Sequence, residues 1–191
     1  MKRFVLASSS PRRRELLEKF GFSFVVAPSM VDEEVDESAS AEAVVMQLAE
    51  QKAEDIANAF PEGIVLGADT VVVFEGNILG KPKDRQEAKE MLQMLSNNTH
   101  IVYTGVALIT NAGTETFYES TNVTFRELTD EEIDAYIQTG EPFDKAGSYG
   151  IQDLGGAFVQ EISGDYFNVV GLPIMRVIQE LRALGVKGVL G

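Results

Sequence analysis

Apolar and polar positions follow two rhythms along this chain. Short apolar runs at 4–8 (FVLAS), 63–74 (GIVLGADTVVVF) and 100–110 (HIVYTGVALIT) have the length and β-branched content of strands. FSFVVAP (22–28) and TETFYESTNVTFREL (114–128) read the same way. GAFVQEISGDYFNVVG (156–171) reads as a hairpin that turns at SGD, and EGN (75–77) turns the long strand back into ILGKP (78–82).

Between these runs the apolar positions recur at helical spacing. SPRRRELLEKFG (10–21) has Ser10 as cap, Pro11 in the first position and Gly21 as stop. SAEAVVMQLAEQKAEDIANAF (40–60) predicts a long helix capped by Ser40, with Val45, Leu48, Ala49 and Ile56 facing inward. Lys52 lies four residues from both Leu48 and Ile56, so it runs along that stripe. Such a lysine either snorkels to solvent or reaches into a cleft. DRQEAKEMLQML (84–95) starts at Asp84 with Glu87 three residues on. TDEEIDAYIQTGEP (129–142) carries a capping box of Thr129 and Glu132. PIMRVIQELRALG (173–185) predicts a closing amphipathic helix.

Strands interleaved with helices, several of the strands joined as hairpins, predict an α/β fold with a mixed sheet and flanking helices. No repeat, low-complexity tract or linker interrupts the pattern, so residues 1–191 are expected to form one domain. No apolar run approaches the length of about 18 residues that spans a bilayer. In MKRFVLASSS only Phe4–Ala7 are apolar, too few for a signal-peptide core, and a cytoplasmic location is expected.

Composition narrows the chemistry. The chain has no cysteine and one histidine, which excludes thiol nucleophiles, disulfides within the chain and multi-histidine metal centres. A metal here would need oxygen ligands, which favours Mg²⁺ or Mn²⁺. A net charge of -14 argues against a broad nucleic-acid surface but allows a small anion in a local site. His100 begins a strand and reads as structural.

Against that acidic background, SSSPRRR (8–14) stands out. A strand running into a helix start leaves backbone N–H groups at the positive end of the dipole, and serine hydroxyls and arginine forks add further donors for phosphate. A capped helix with solvated arginines is the alternative. Arg12 and Arg13 fall in the first turn, and Arg14 has no special placement. In GADT (67–70), Asp69 is a carboxylate inside an apolar strand, which needs a partner, a metal or a cleft. Gly67 permits close approach. LGKP (79–82) runs back beside it and brings Lys81 to the same sheet end. KAGSYGIQ (145–152) offers Lys145 and Gln152, and the acidic stretch VDEEVDES (31–38) offers Asp32, Glu33 and Glu34. Each of these has a structural alternative. Together they supply cations for a polyphosphate, carboxylates for a divalent ion and no protein nucleophile, which fits attack by water.

LASSSPRR, GADTVV, LGKP, DKAGSYGIQ and GDYFNVVGLP, in that order, resemble the signature segments of the Maf family of nucleoside triphosphate pyrophosphatases, from Phe4 to about Leu184. The resemblance implies an elongated mixed sheet in two lobes around a deep cleft, often in a homodimer. It implies hydrolysis between the α and β phosphates with a divalent cation, as a house-cleaning activity. A non-catalytic role in septum formation is the alternative, and another or modified nucleotide is a second one. Matched motif by motif, Asp69 takes the place of the general base, and Ser8, Arg12, Arg13, Glu33, Lys52 and Lys81 fall at phosphate- and metal-site positions. Glu33 and Asp69 are the implied metal residues. Arg12, Thr70 and Gln152 together look like the branch that acts on dTTP and UTP. One carboxamide can pair with both O4 and N3–H of uracil or thymine, and Thr70 leaves room for a base.

Overall fold

The computed structural model describes residues 3–36 and 38–190. Met1 and Lys2 of the basic start, Glu37 of the acidic stretch and Gly191 lie outside them. Strands β1 (Phe4–Leu6), β2 (Val25–Val26), β3 (Ile64–Phe74), β4 (Asn77–Leu79), β5 (Thr99–Thr110), β6 (Gly113–Phe125) and β7 (Val159–Ser163) form one sheet. Its order is β2-β1-β3-β5-β6-β7, with β4 paired to β3. β1 pairs in parallel with β2 and β3, whereas β3–β4 and β6–β7 are antiparallel, so the sheet is mixed as the alternation of elements predicts. The helices are α1 (Pro11–Lys19), α2 (Ala41–Ala57), α3 (Arg85–Leu95), α4 (Asp130–Gln138), α5 (Tyr166–Val170) and α6 (Ile174–Ala183).

The chain divides into two compact units. The first takes in the described part of Met1–Asp69, together with Thr104–Glu119 and Gly171–Gly191. Here β1 is wholly buried, with Val5 opposite Val25 on one side and Val65 on the other. Small residues (Ala7, Ala49, Ala53 and Ala107) join Val5 and Val65 in one buried cluster. They let α2 lie almost directly on the sheet. A Cβ added at Gly67 would overlap the Ala49 carbonyl oxygen, and one at Gly105 would overlap the Val45 carbonyl oxygen. Two glycines on two strands thus receive consecutive turns of one helix.

The second unit, Thr70–Tyr103 and Ser120–Val170, has its own core built on Leu92, Leu95, Phe125, Ile133 and Tyr149. The β3–β4 turn places Glu75 at φ 49° and Gly76 at φ 80°, the two left-handed residues of a type I′ hairpin. Asp84 caps α3 by accepting from Glu87 N at 2.9 Å, and Thr129 and Glu132 close the expected capping box on α4.

Three local expectations are corrected. The 156–171 hairpin is a strand followed by a helix: β7 ends at Ser163 and α5 starts at Tyr166. Asp165 Oδ1 accepts from Phe167 N at 2.8 Å, and the fully buried Asn168 donates to Val102 O and Thr121 Oγ1. A short aromatic run has the composition of a strand, but a capping aspartate and a buried asparagine turn it into helix. The strand at 22–28 shrinks to the exposed pair Val25–Val26, because Phe22 and Phe24 pack edge-on against Phe4 instead of continuing the ladder. Ser10 occupies the N-cap position of α1 without a side-chain cap bond.

Candidate active site

The first unit collects six of the residues singled out from sequence. β1 leads through Ser8 into α1, whose first turn has Pro11 and no acid, so no carboxylate of its own offsets the positive helix end. Ser8 is buried. Its Oγ accepts from Ser10 N and from Arg13 Nη1, both at 3.2 Å. Arg13 is buried too, and its Nε donates to Gly171 O at 2.7 Å. Burial pulls the Arg13 guanidinium below its ordinary pKa, opposed by the charges of Asp69 and Glu33 and reinforced by Arg12. Arginine keeps its charge in such settings, so the group stands as a fixed cation within reach of both carboxylates. Arg12 is half-buried beside it. Arg14 is exposed and pairs with Glu18 one turn on, at 2.8 Å. Arg13 and Arg14 therefore differ in both burial and partner.

Lys52 is placed by the contact of α2 with β3. The helix meets the strand at Gly67, between Ala49 and Ala53, and Asp69 lies two residues further along the same face. The Lys52 ammonium bonds Asp69 Oδ1 and also reaches Glu33 Oε1 at 2.9 Å. The side chains of Lys52 and Asp69 retain 16% and 14% of their exposure and Glu33 retains 48%, so a largely buried pair opens toward solvent through Glu33. Of the two readings open for Lys52, the one that turns it inward holds.

Glu33 sits in a loop without regular structure, and α2 holds that loop. Gln51 Oε1 accepts from Glu34 N at 3.1 Å, and Gln51 Nε2 donates to Glu34 O at 2.8 Å. One turn on, Asp55 Oδ2 accepts from Met30 N and Ser29 Oγ, which lowers its pKa. The helix that carries Lys52 thus also docks the segment that carries Glu33.

Thr70, Lys81 and Gln152 belong to the second unit. Thr70 is half-buried in β3. Lys81 follows β4, is exposed and has no ion-pair partner among the described residues. Gln152 is exposed on the irregular segment between Tyr149 and the 3₁₀ turn Leu154–Phe158. His100 is buried at 1% exposure, its Nε2 is 2.8 Å from Tyr149 Oη, and burial lowers its pKa to about 4. It is a core residue, as its position suggests.

Sequence reasoning missed Gly171 and Gln51. The carbonyl of Gly171 lies within GDYFNVVGLP, a segment that yielded no candidate because a backbone acceptor has no residue signature. Gln51 is a polar helix residue like many others, and only its loop contact marks it.

A carboxylate pair joined by a lysine, next to a buried arginine at a helix start, is suited to gathering a polyphosphate and a water molecule. The sequence model of the family described as Maf-like protein matches residues 3–184. The chain belongs to the Maf family. Among curated Maf relatives, a dTTP/UTP pyrophosphatase of Bacillus cytotoxicus is 60% identical over 182 residues, covering 95% of each chain. A dTTP/UTP pyrophosphatase of Bacillus cereus is 57% identical over 186 residues, 97% of this chain and 92% of its own. Of solved structures, the Staphylococcus aureus Ham1 protein aligns with 65% of this Maf chain and 72% of its own, at 17% identity and a TM-score of 0.46. No helix among the described residues is long and apolar enough to cross a membrane.

Proposed function

We propose that this chain hydrolyses dTTP and UTP between the α and β phosphates, giving the nucleoside monophosphate and pyrophosphate. The observation that carries this reading is the Lys52 ammonium bonded at once to Asp69 and Glu33, with Arg13 and Ser8 beside it. The name shared by the Bacillus relatives supports the pyrimidine substrates.

In this reading Asp69 accepts a proton from the attacking water as its oxygen bonds to the α-phosphorus, and the bond to the bridging oxygen breaks to release pyrophosphate. Arg12, Arg13, Lys52 and Lys81 offset the charge of the triphosphate and of the leaving group. Ser8 orients Arg13. Gln152 pairs with O4 and N3–H of the base, and Thr70 lines the space for it.

Glu33 and Asp69 are the residues that would hold a divalent cation, Mg²⁺ or Mn²⁺. Their oxygens already converge on a single cationic atom, Lys52 Nζ, which fits a hard ion. Among the described residues no three His, Cys, Asp or Glu side chains cluster as a metal cage. A hard ion such as Mg²⁺ would need only one or two protein carboxylates, which Glu33 and Asp69 would supply. When bound, such an ion polarises phosphoryl oxygens and offsets their charge.

The resemblance also supports a cytoplasmic homodimer with a house-cleaning role. Nucleotide binding alone, as in a non-catalytic regulator of septum formation, would not call for Asp69. A panel of triphosphates incubated with the protein and Mg²⁺ or Mn²⁺ tests the reading. The expected result is monophosphate plus pyrophosphate, fastest from dTTP and UTP. Diphosphate plus orthophosphate overturns the bond assignment, a preferred purine overturns the base, and no turnover at all overturns the enzyme.

A further inference from the structure

Gln152 is exposed, yet the backbone on both sides of it is held by one carboxylate–phenol pair. Glu141 Oε1 accepts from Tyr136 Oη at 2.8 Å and from Gly155 N at 3.1 Å, while Glu141 Oε2 accepts from Leu154 N at 3.2 Å. On the other side of Gln152, Gly150 N donates to the same Tyr136 Oη at 3.4 Å. Tyr136 is buried, and burial together with Glu141 raises its pKa, so it keeps its proton and donates it.

A second tie runs beneath the segment. Lys145, buried at 7% exposure, donates to Glu141 O and Asp144 Oδ1, both at 2.8 Å, and stands 4.0 Å from Asp153 Oδ2. The fit is close. A Cβ at Gly150 would come within 2.5 Å of Lys145 Cε, and one at Gly155 within 2.7 Å of Tyr136 Oη. The segment 150–155 is thus a hoop clamped at its two feet, with Gln152 at its crown.

We infer that Glu141, acting with Tyr136 and Lys145, is a positioning residue for base selection: it fixes where Gln152 stands. This rests on Gln152 pairing with the base. Glu141 touches neither nucleotide nor reacting atoms. Its effect passes through the hoop, because two donors and acceptors on a base can be met by one carboxamide only if the chain that presents it holds still.

The test is a double-mutant cycle read on two substrates, UTP and GTP, in Glu141→Ala, Gln152→Ala and the double variant. Loss of a bond to a charged group is expected to lower kcat/KM for UTP about tenfold, chiefly through KM. GTP turnover stays within about twofold of wild type, the scatter of independent sites. In the Gln152→Ala background, Glu141→Ala costs less than about twofold further, since the residue it acts through is gone. Equal losses on UTP and GTP, or the same loss in both backgrounds, would overturn the inference and make Glu141 merely structural. Tyr136→Phe removes one hydroxyl and leaves the ring in the core, so it gives the same reading in the same direction if Glu141→Ala does not fold. If Gln152→Ala leaves the ratio of UTP to GTP unchanged, the base-pairing role falls and the clamp with it. If Gln152→Ala lowers that ratio and neither clamp variant does, only the clamp falls.

Discussion

Lys52 and Asp69 share an ion pair where α2 rests on β3 with no side chain between the two backbones. The helix contributes the cation and the strand the carboxylate, and their separation follows from the depth at which the helix lies. Asp69→Asn keeps the shape but removes the carboxylate proposed as proton acceptor. Its kcat should fall by roughly 10²- to 10⁴-fold, the usual range for a general base, while nucleotide binding by calorimetry persists. Near-normal turnover in a folded Asp69→Asn protein would remove Asp69 from that role.

Lys52 Nζ occupies the point at which the Glu33 and Asp69 oxygens converge, so the ammonium and the proposed divalent ion would draw on the same donors. Lys52→Met frees them. The variant is expected to bind Mn²⁺ without nucleotide more tightly than wild type, as read from the loss of the free-ion signal in electron paramagnetic resonance. Unchanged or weaker Mn²⁺ binding would place the cation elsewhere.

The floor under this pair can be tested with one methyl group. Gly67→Ala drives a Cβ into the Ala49 carbonyl and the Ala53 backbone, and neither is the end of a flexible side chain. Overpacking of this kind costs about 1–3 kcal/mol or more, so the denaturant midpoint should drop and activity with it. Gly80→Ala is the control, since its Cβ would meet no atom within 4 Å and should leave the midpoint in place.

Arg13 and Arg14 are neighbours with opposite expected tolerance. Arg13→Lys cannot keep both the Gly171 carbonyl and the Ser8 hydroxyl on one planar fork. It should lose about 1–3 kcal/mol of stability, the cost of a buried charge-assisted contact left unmade, along with activity. Arg14→Ala removes an exposed pair with Glu18 and should match wild type in both assays. A matching loss in the two variants would contradict this division.

Buried His100 predicts a pH dependence of stability. Its pKa is lowered from 6.5 to about 4, so between those values the unfolded chain holds a proton that the folded chain does not. Stability from this group is complete above about pH 6.5, declines as pH falls and levels off below about 4, a change of roughly 3 kcal/mol. His100→Gln should flatten the slope of unfolding free energy across that window. Superimposable profiles would show that His100 is not its source.

Much of this molecule is legible in local pattern. The turn at EGN (75–77) and the Thr129–Glu132 box are each encoded within four residues, and both form as read. The basic run Arg12–Arg14 that opens α1 is just as local in the sequence. Arg14 has its partner one turn on, whereas Arg13 and Lys52 take theirs from afar: Arg13 finds Gly171 158 positions away, and Lys52 finds Asp69 17 positions away. Periodicity limits Lys52 to a stripe of the helix but not to a destination. The segment around Asn168 fails for a related reason, because its hydrogen bonds to Val102 and Thr121 override the strand composition of YFNVV.

The bare contact of α2 with β3 and β5 has a practical consequence for redesign. Gly67 and Gly105 have no smaller replacement, and Ala49 and Ala53 have only glycine, so mutation can thicken this layer or loosen its helix but not improve its fit. Directed evolution toward another nucleotide would find few acceptable changes there. The hoop from Gly150 to Gly155, with Gln152 exposed at its crown and its anchors in separate residues, is the more promising ground for a library.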